Sequence, residues 1–322
     1  MQTPNLFDFA TSELSQDAFI CWLASWAKPE HRELHGPLHK TATAFLNRLL
    51  DVGNVSRPAE YWCIVVWRQW NNIDVLLLVN GEIAIIIEDK INSKDHSDQL
   101  RRYKMGVEAQ FPNHRIAAIY FKTGDQCDYR NAEEAGYGCF RRADFLGILQ
   151  GREALGVTNE IFKDFQRWLQ SIENAVQSFL TVLPEDWKKK QWIGFFMAVQ
   201  EKLDDGEWAV RVGYDLTFRW HQKDGKYLRL LEGDCRLAFC LEVVEEMHRR
   251  AKRDDWHRML LATSPPAGIA LSTPRLGLGR RMKVAVLKDY LQLDARGLLD
   301  LTKTVGMLRE AEALMDAALG TA

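Results

Sequence analysis

One stretch constrains this chain more than any other: Ile73 to Lys90, reading IDVLLLVNGEIAIIIEDK. Its two apolar runs, Ile73 to Val79 and Ile83 to Lys90, are short and mostly aliphatic, the profile of strands rather than helices. Asn80-Gly81 between them is a strong hairpin signal. Three ionisable residues interrupt the apolar runs: Asp74 on the first strand, Glu88 and Lys90 on the second. Side chains alternate along a strand, so Glu88 and Lys90 share a face and Asp89 points the other way. Charges on a buried strand are costly unless they are paired or bind a metal.

The hairpin register decides whether these charges act together. A strict two-residue turn at Asn80-Gly81 pairs positions summing to 161, which sets Asp74 against Ile87 and turns Glu88 to the other face. A three-residue loop, Asn80 to Glu82, pairs positions summing to 162 and sets Asp74 against Glu88. A site shared by the two carboxylates therefore predicts an odd loop or a bulge. A hard divalent cation between them satisfies the buried charge, and oxygen ligands around an incompletely dehydrated ion suit Mg²⁺. Such a site supports metal-assisted hydrolysis of a phosphodiester, with Lys90 holding the attacking water and contacting the scissile phosphate. The bland alternative is a buried ion pair between Lys90 and either carboxylate.

The flanking sequence predicts a helix over Thr11 to Ala27, capped by Thr11 or Ser12, with Leu14, Ala18, Trp22 and Trp26 along one face. Gly36-Pro37 breaks the chain before a second helix running to about Leu50. Tyr61 to Trp70 reads as a buried strand, Asp95 to Gln110 as a polar helix and Arg115 to Phe121 as another strand. Helices follow at Ala143–Leu149 and Glu160–Leu180. Beyond a soft boundary near Leu183 the pattern predicts a helix over Pro184–Leu203. Antiparallel strands follow at Trp208–Val212, Leu216–Trp220, Tyr227–Leu231 and Arg236–Val244. Ser264-Pro265-Pro266 marks a loop between a basic helix, Glu245–Leu261, and a C-terminal helix over about Ala295–Ala318. The division is residues 1–183 and residues 184–322, as suits 322 residues at ~150 per domain.

Composition removes several classes. A net charge of −2 argues against a nonspecific nucleic-acid coat, while leaving room for one local basic groove. No apolar run reaches the ~20 residues of a membrane span, and Met1 to Ala10 lacks the pattern of a secretory signal. Six cysteines without a C-x-x-C pair read as buried, reduced thiols of a cytoplasmic protein.

The order helix, helix, strand, strand, strand, helix, strand, with Asp74, thirteen residues, then Glu88-x-Lys90, resembles the PD-(D/E)XK nuclease superfamily. Gln99 and Tyr103, in a Q-x-x-x-Y arrangement, resemble its RecB-like branch, and TSELSQDAF, IIIEDK and QLRRY are similar to a group of uncharacterised bacterial nuclease-like proteins. The resemblance covers roughly residues 7 to 125. It implies an α/β, restriction-endonuclease-like αβββαβ core, with a mixed α+β accessory region after it. It also implies a Mg²⁺-dependent phosphodiesterase acting on DNA, with Mn²⁺ as the natural substitute ion. Carried over by position, Asp74 and Glu88 become metal ligands and Lys90 the catalytic lysine. The Asp89 backbone carbonyl becomes a further ligand, and Glu13 ligates directly or through water. Gln99 and Tyr103 position the phosphate or the DNA end; independently of the resemblance, the basic cluster Arg101-Arg102-Lys104 borders the site and is expected to contact phosphate. Ile73 stands where the signature has proline, and no four-cysteine cluster motif is present. A competing reading is a catalytically silent fold of this type that binds nucleic acid or a protein partner. The sequence points to no membrane partner and is compatible with a homo-oligomer.

Other features read more blandly. Asp89 is expected to be structural, paired on the opposite face of the sheet. His31, His35 and His39 are expected at the surface, because Gly36-Pro37 breaks the spacing a zinc site would need. His96 reads as a solvated helix start. The basic clusters Arg141-Arg142, Lys188–Lys190, Arg249–Arg253 and Arg280–Lys283 read as solvated faces. Trp187, Trp192, Trp208 and Trp220 read as core.

Overall fold

The computed structural model describes residues 4–91, 98–209, 216–264 and 269–320. The expectations for His96, for the end of the strand at Trp208–Val212 and for the Pro265-Pro266 loop lie outside the described residues. The chain divides into two compact units, Met1–Glu173 and Asn174–Ala322.

The first unit is a mixed sheet with helices on both faces. Helices α1 (Glu13–Ser25) and α2 (Gly36–Val52) precede strands β1 (Ile64–Trp70), β2 (Ile73–Val79) and β3 (Ile83–Lys90). Helix α3 (Gln99–Gln110), β4 (Arg115–Lys122), α4 (Arg130–Glu134), β5 (Gly138–Arg141), α5 (Arg142–Leu149) and α6 (Glu160–Gln177) follow. Sheet order is β1-β2-β3-β4-β5, antiparallel through β3 and parallel from β3 to β5. Val75, Leu77, Ile85 and Ile87 bury one face against Ile20 and Leu23 of α1 and Phe45 and Leu49 of α2. Leu76, Ala84 and Ile86 bury the other with Leu100 and Val107 of α3. Each such aliphatic side chain contributes roughly 1.5–3 kcal/mol on burial. From Val75 to Val79 and from Ile83 to Ile87, β2 and β3 are therefore apolar, because both faces are covered.

Every β2–β3 pair, from Val79↔Ile83 to Val75↔Ile87, sums to 162. The loop is thus Asn80 to Glu82, the odd length a shared carboxylate site requires. Asn80 and Gly81 both take left-handed backbone, with φ of 55° and 66°. The buried Asn80 side chain accepts from the Trp62 and Cys63 N–H groups at 3.0 and 3.1 Å and donates to Glu60 O at 2.7 Å. It thereby ties the loop to the segment leading into β1.

Several expectations need correcting here, among them that for Arg142, which is buried rather than solvated. The buried face of α1 carries Gln16, Asp17, Ile20, Leu23 and Ala24, whereas Leu14 of the expected face is 54% exposed. The helix is rotated because two polar residues lie inward, where they meet polar partners on the sheet. β1 is an edge strand, not a buried one: it pairs only with β2, and Val65 is 36% exposed. Its aromatic and β-branched composition says strand without saying which position in the sheet. His39 is buried, its Nδ1 2.9 Å from Trp26 O, while the His31 and His35 rings lie against the Trp26 ring. Helix α2 starts at the Gly36 break, so His39 falls in its first turns, facing the end of α1. The thiols also differ from expectation: Cys240 is buried, Cys235 exposed and the other four half-buried, all of them free.

The second unit is built on an antiparallel six-stranded sheet in the order β10-β11-β9-β8-β7-β6. Its elements are α7 (Lys189–Gln200), β6 (Glu207–Ala209), β7 (Thr217–Lys223), β8 (Lys226–Leu231) and β9 (Asp234–Glu242). Then come α8 (Arg249–Ala262), β10 (Leu271–Ser272), β11 (Arg281–Lys288) and α9 (Leu301–Gly320). Trp187, Trp192, Trp208 and Trp220 are all buried. β11 has no counterpart among the expected strands. Its charges at Arg281 and Lys283 read as a solvated cluster, yet Met282, Val284, Ala285 and Val286 beside them are core. Among the described residues no helix is long and apolar enough to cross a membrane.

Candidate metal and phosphodiester site

The β2–β3 ladder reaches Val75↔Ile87, and one further step sets Asp74 beside Glu88. Alternation places Lys90 on the Glu88 face. Lys90 Nζ lies 2.6 Å from Glu88 Oε1 and 3.7 Å from Asp74 Oδ2. Asp74 Oδ2 also accepts from the Asp89 N–H at 2.9 Å, and its Oδ1 accepts from Gln69 Nε2 at 3.2 Å. From α3, Gln99 Nε2 donates to Glu88 Oε1 at 2.9 Å and to the Tyr103 hydroxyl oxygen at 3.0 Å. One helical turn separates Gln99 from Tyr103, so both face the acidic pair. Glu88 Oε2 is buried and, among the described residues, has no hydrogen-bond partner.

The electrostatics follow from this crowding. Burial, then the Asp74 charge, pushes the Glu88 carboxyl up to about 7, with Lys90 pulling against both. Burial lowers the Lys90 ammonium, but Glu88, Asp74 and Glu13 outweigh it, and the net shift is upward. Among the described residues, two opposed carboxylates bridged by Lys90, with one carboxylate oxygen orphaned, leave anionic charge under-compensated. That donor set fits a hard divalent cation, which Mg²⁺ chemistry satisfies with one or two carboxylates, waters and substrate phosphate. Among the described residues no three His, Cys, Asp or Glu side chains are grouped to hold a metal.

Glu13 Oε1 accepts from the Ile91 N–H at 2.8 Å, and its charge reaches both Lys90 and Lys122. Arg101 and Arg102 are exposed on α3. Arg101, about 200° round the helix from Gln99, lines a separate cavity of about 160 Å³ with Asp98, Leu100, Asn131 and Ala135.

The Asp89 side chain lies on the opposite sheet face, where Gln16 donates to it and Thr123 Oγ1 in turn donates to Gln16 at 2.7 Å. Asp17 lies against Asp89. Burial, then Asp74, pushes Asp17 up to about 6, while burial, then Asp17, pushes Asp89 well above the usual carboxylate range. Each has one buried oxygen without a hydrogen-bond partner among the described residues. Gln69 links this pair to the site, donating to Asp17 Oδ2 and to Asp74 Oδ1, both at 3.2 Å, from left-handed backbone of φ 57°. A non-glycine residue held there is strained, a feature that clusters at functional sites. Lys122 stands directly opposite Lys90 across β3–β4; burial, then the Lys90 charge, brings it down to about 8.

Sequence reasoning passed over Asp17, Gln69 and Lys122. For Asp17 a signal existed, since it precedes Ile20 and Ala24 by helical spacing and so interrupts an apolar stripe. Gln69 and Lys122 carry none, because their roles depend on strand pairing.

A five-stranded mixed sheet flanked by helices, with an acidic pair and a lysine on β2 and β3, defines the restriction-endonuclease-like class of α/β fold. The family model described as the PD-(D/E)XK nuclease superfamily matches residues 4–182, more than half of the chain. The chain belongs to that superfamily. Searches of curated proteins and of solved structures returned no match.

Proposed function

We propose that the chain hydrolyses phosphodiester bonds of DNA with a divalent cation held by Asp74 and Glu88, Mg²⁺ by preference and Mn²⁺ as substitute. The supporting observation is the 162 register, which opposes the two carboxylates, beside a Glu88 Oε2 that has no hydrogen-bond partner among the described residues. Asp74 and Glu88 would hold the ion, which when bound would acidify water and compensate charge on the scissile phosphate. Lys90, kept charged by both carboxylates, contacts that phosphate; its removal is expected to cost about 10²–10³ in rate, the scale of one lost electrostatic donor. Gln99 fixes the Glu88 carboxylate, and the Tyr103 hydroxyl beside it meets the phosphate or the DNA end, which supports a place in the RecB-like branch. Glu13, directly or through water, and the Asp89 carbonyl would help to hold the ion. Arg102 contacts the adjoining backbone, and Arg101 meets it only further along.

The test is cleavage of end-labelled linear, nicked, closed-circular and single-stranded DNA, and of RNA, with Mg²⁺, Mn²⁺ or EDTA. Metal-dependent cutting that falls at least 100-fold in both Asp74→Ala and Lys90→Ala supports the proposal. No cutting of any substrate, with unchanged nucleic-acid affinity in both variants, replaces it with the binding-only fold.

A further inference from the structure

The second unit's sheet carries a charge pattern that the proposed nuclease site does not use. Residues directly opposed in an antiparallel ladder share a face. Arg219 on β7 stands opposite Arg229 on β8, and Arg236 on β9 stands opposite Lys288 on β11. Opposed like charges destabilise a sheet. Pairings Arg229↔Ala238, Tyr227↔Cys240, Cys240↔Lys283 and Ala238↔Val286 place all these residues on one face. Tyr227, Ala238, Cys240 and Val286 form its small apolar floor. The other face of the same strands holds the buried Phe218, Trp220, Leu228, Leu237 and Phe239.

Counter-charge on the polar face is incomplete. Glu207 stands opposite Arg219, Asp234 binds Arg236 at 2.7 Å, and Glu242 accepts from Arg280 and Arg281 at 2.8 and 3.0 Å. Among the described residues, Arg229, Lys283 and Lys288 have no carboxylate within ion-pair distance. The Arg219 guanidinium lies over the Tyr227 ring, 5.1 Å from its centre, so Tyr227 supports a cation instead of meeting solvent.

We propose that this face docks the phosphate backbone of duplex DNA. The proposal rests on the nuclease reading of the first unit and assigns the second unit its role. An opposed arginine pair and an opposed arginine–lysine pair lose their mutual penalty when a polyanion lies across them. The cations run from β7 to β11, three strand spacings or about 14 Å, close to the ~12 Å of a B-DNA major groove that separates flanking phosphates. A single strand would need exposed aromatic rings for base stacking. Every described aromatic side chain of this unit, including its tryptophans Trp187, Trp192, Trp208, Trp220 and Trp256, is buried. With no exposed aromatic ring among the described residues of this unit, the charge of a duplex backbone is what this face is suited to meet.

The experiment measures binding of the full chain to a fluorescein-labelled 20-base-pair DNA duplex in EDTA, across a salt series. Three substitutions, Arg229→Gln, Lys283→Gln and Lys288→Gln, are combined in one variant. Each lost phosphate contact removes about 0.9 from the slope of log K against log salt. The triple variant is expected to lose up to about 2.7 of slope, with a circular-dichroism melt at or above that of the wild type, because Arg229→Gln and Lys288→Gln remove the opposed like charges. Lys283→Arg, which keeps the charge, is expected to hold the wild-type slope. An unchanged slope in the folded triple variant overturns the proposal, as does preferential loss of single-stranded DNA or RNA binding instead of duplex. Metal-dependent cleavage, measured separately, reports on the first unit: cleavage with an unchanged slope fails the docking face alone, and a changed slope without cleavage fails the nuclease reading alone.

Discussion

Glu88 should make the metal-free chain less stable as pH rises, and Glu88→Gln should remove that loss. The carboxyl moves from 4.5 to about 7 because it is buried and faces Asp74. The folded chain therefore keeps a proton that the unfolded chain releases across this window, so stability falls as pH rises from about 4.5 to 7 and the loss is complete above it. A shift of about 2.5 units corresponds to roughly 3.4 kcal/mol at pH 8, but only about 0.8 kcal/mol at pH 5. Replacing Glu88 with glutamine alters packing and hydrogen bonding by an amount that barely depends on pH. The difference between variant and wild type should therefore shift by about 2–3 kcal/mol in the variant's favour between pH 5 and 8. At about 2–4 °C per kcal/mol for a unit of this size, Tm should shift by about 5–10 °C. Thermal melts in EDTA at both pH values measure it, and cleavage should be lost in the same variant. A gap that stays constant from pH 5 to 8 would refute the reasoning, because Glu88 would then be ionised without penalty.

Millimolar Mg²⁺ should raise Tm more at pH 8 than at pH 5, since ion binding requires both carboxylates deprotonated; scanning calorimetry on wild type and Asp74→Ala measures the difference, which should vanish in the variant. Arg142→Ala should cost about 3–5 kcal/mol, because the guanidinium bonds Asp125 and Glu173 at 2.7 Å each and the Thr123 carbonyl at 2.7 Å, and urea midpoints will show it. Gly124→Ala would put a Cβ 1.8 Å from Ile91 O, displacing the residue whose N–H binds Glu13; cleavage should fall more than stability, read as rate against urea midpoint.

The first unit was legible where local pattern and packing agree. Apolar strands around a hairpin signal can be read directly, and Asp74, Glu88 and Lys90 stand out because charge on such strands has few physical explanations. The register was legible as a conditional: the loop had to be odd if the carboxylates were to meet, and it is. What escaped depends on orientation and neighbours. The α1 face was set a fraction of a turn wrong because Gln16 and Asp17 point inward to polar partners, against ordinary amphipathic reasoning. Lys122 matters only because β4 brings it beside Lys90, which no local spacing encodes. β11 was hidden by its own charges, which lie on the outward face of a sheet whose inward face is core.

The Asn80–Glu82 loop makes the proposed chemistry a matter of parity. Because β3 is apolar on both faces, sliding it one position would exchange Ile85 and Ile87 for Ala84 and Ile86 with modest loss of buried surface. It would also carry Glu88 and Lys90 to the far side of the sheet. Hydrophobic patterning thus guards this register weakly, and the Asn80 side chain, with its three backbone hydrogen bonds, is the lock. Gaining or losing a single codon in a surface loop, distant from every charged residue of the site, would yield a chain that still folds but has no active centre. A change of length in these three residues would undo the proposed chemistry without altering one of its side chains.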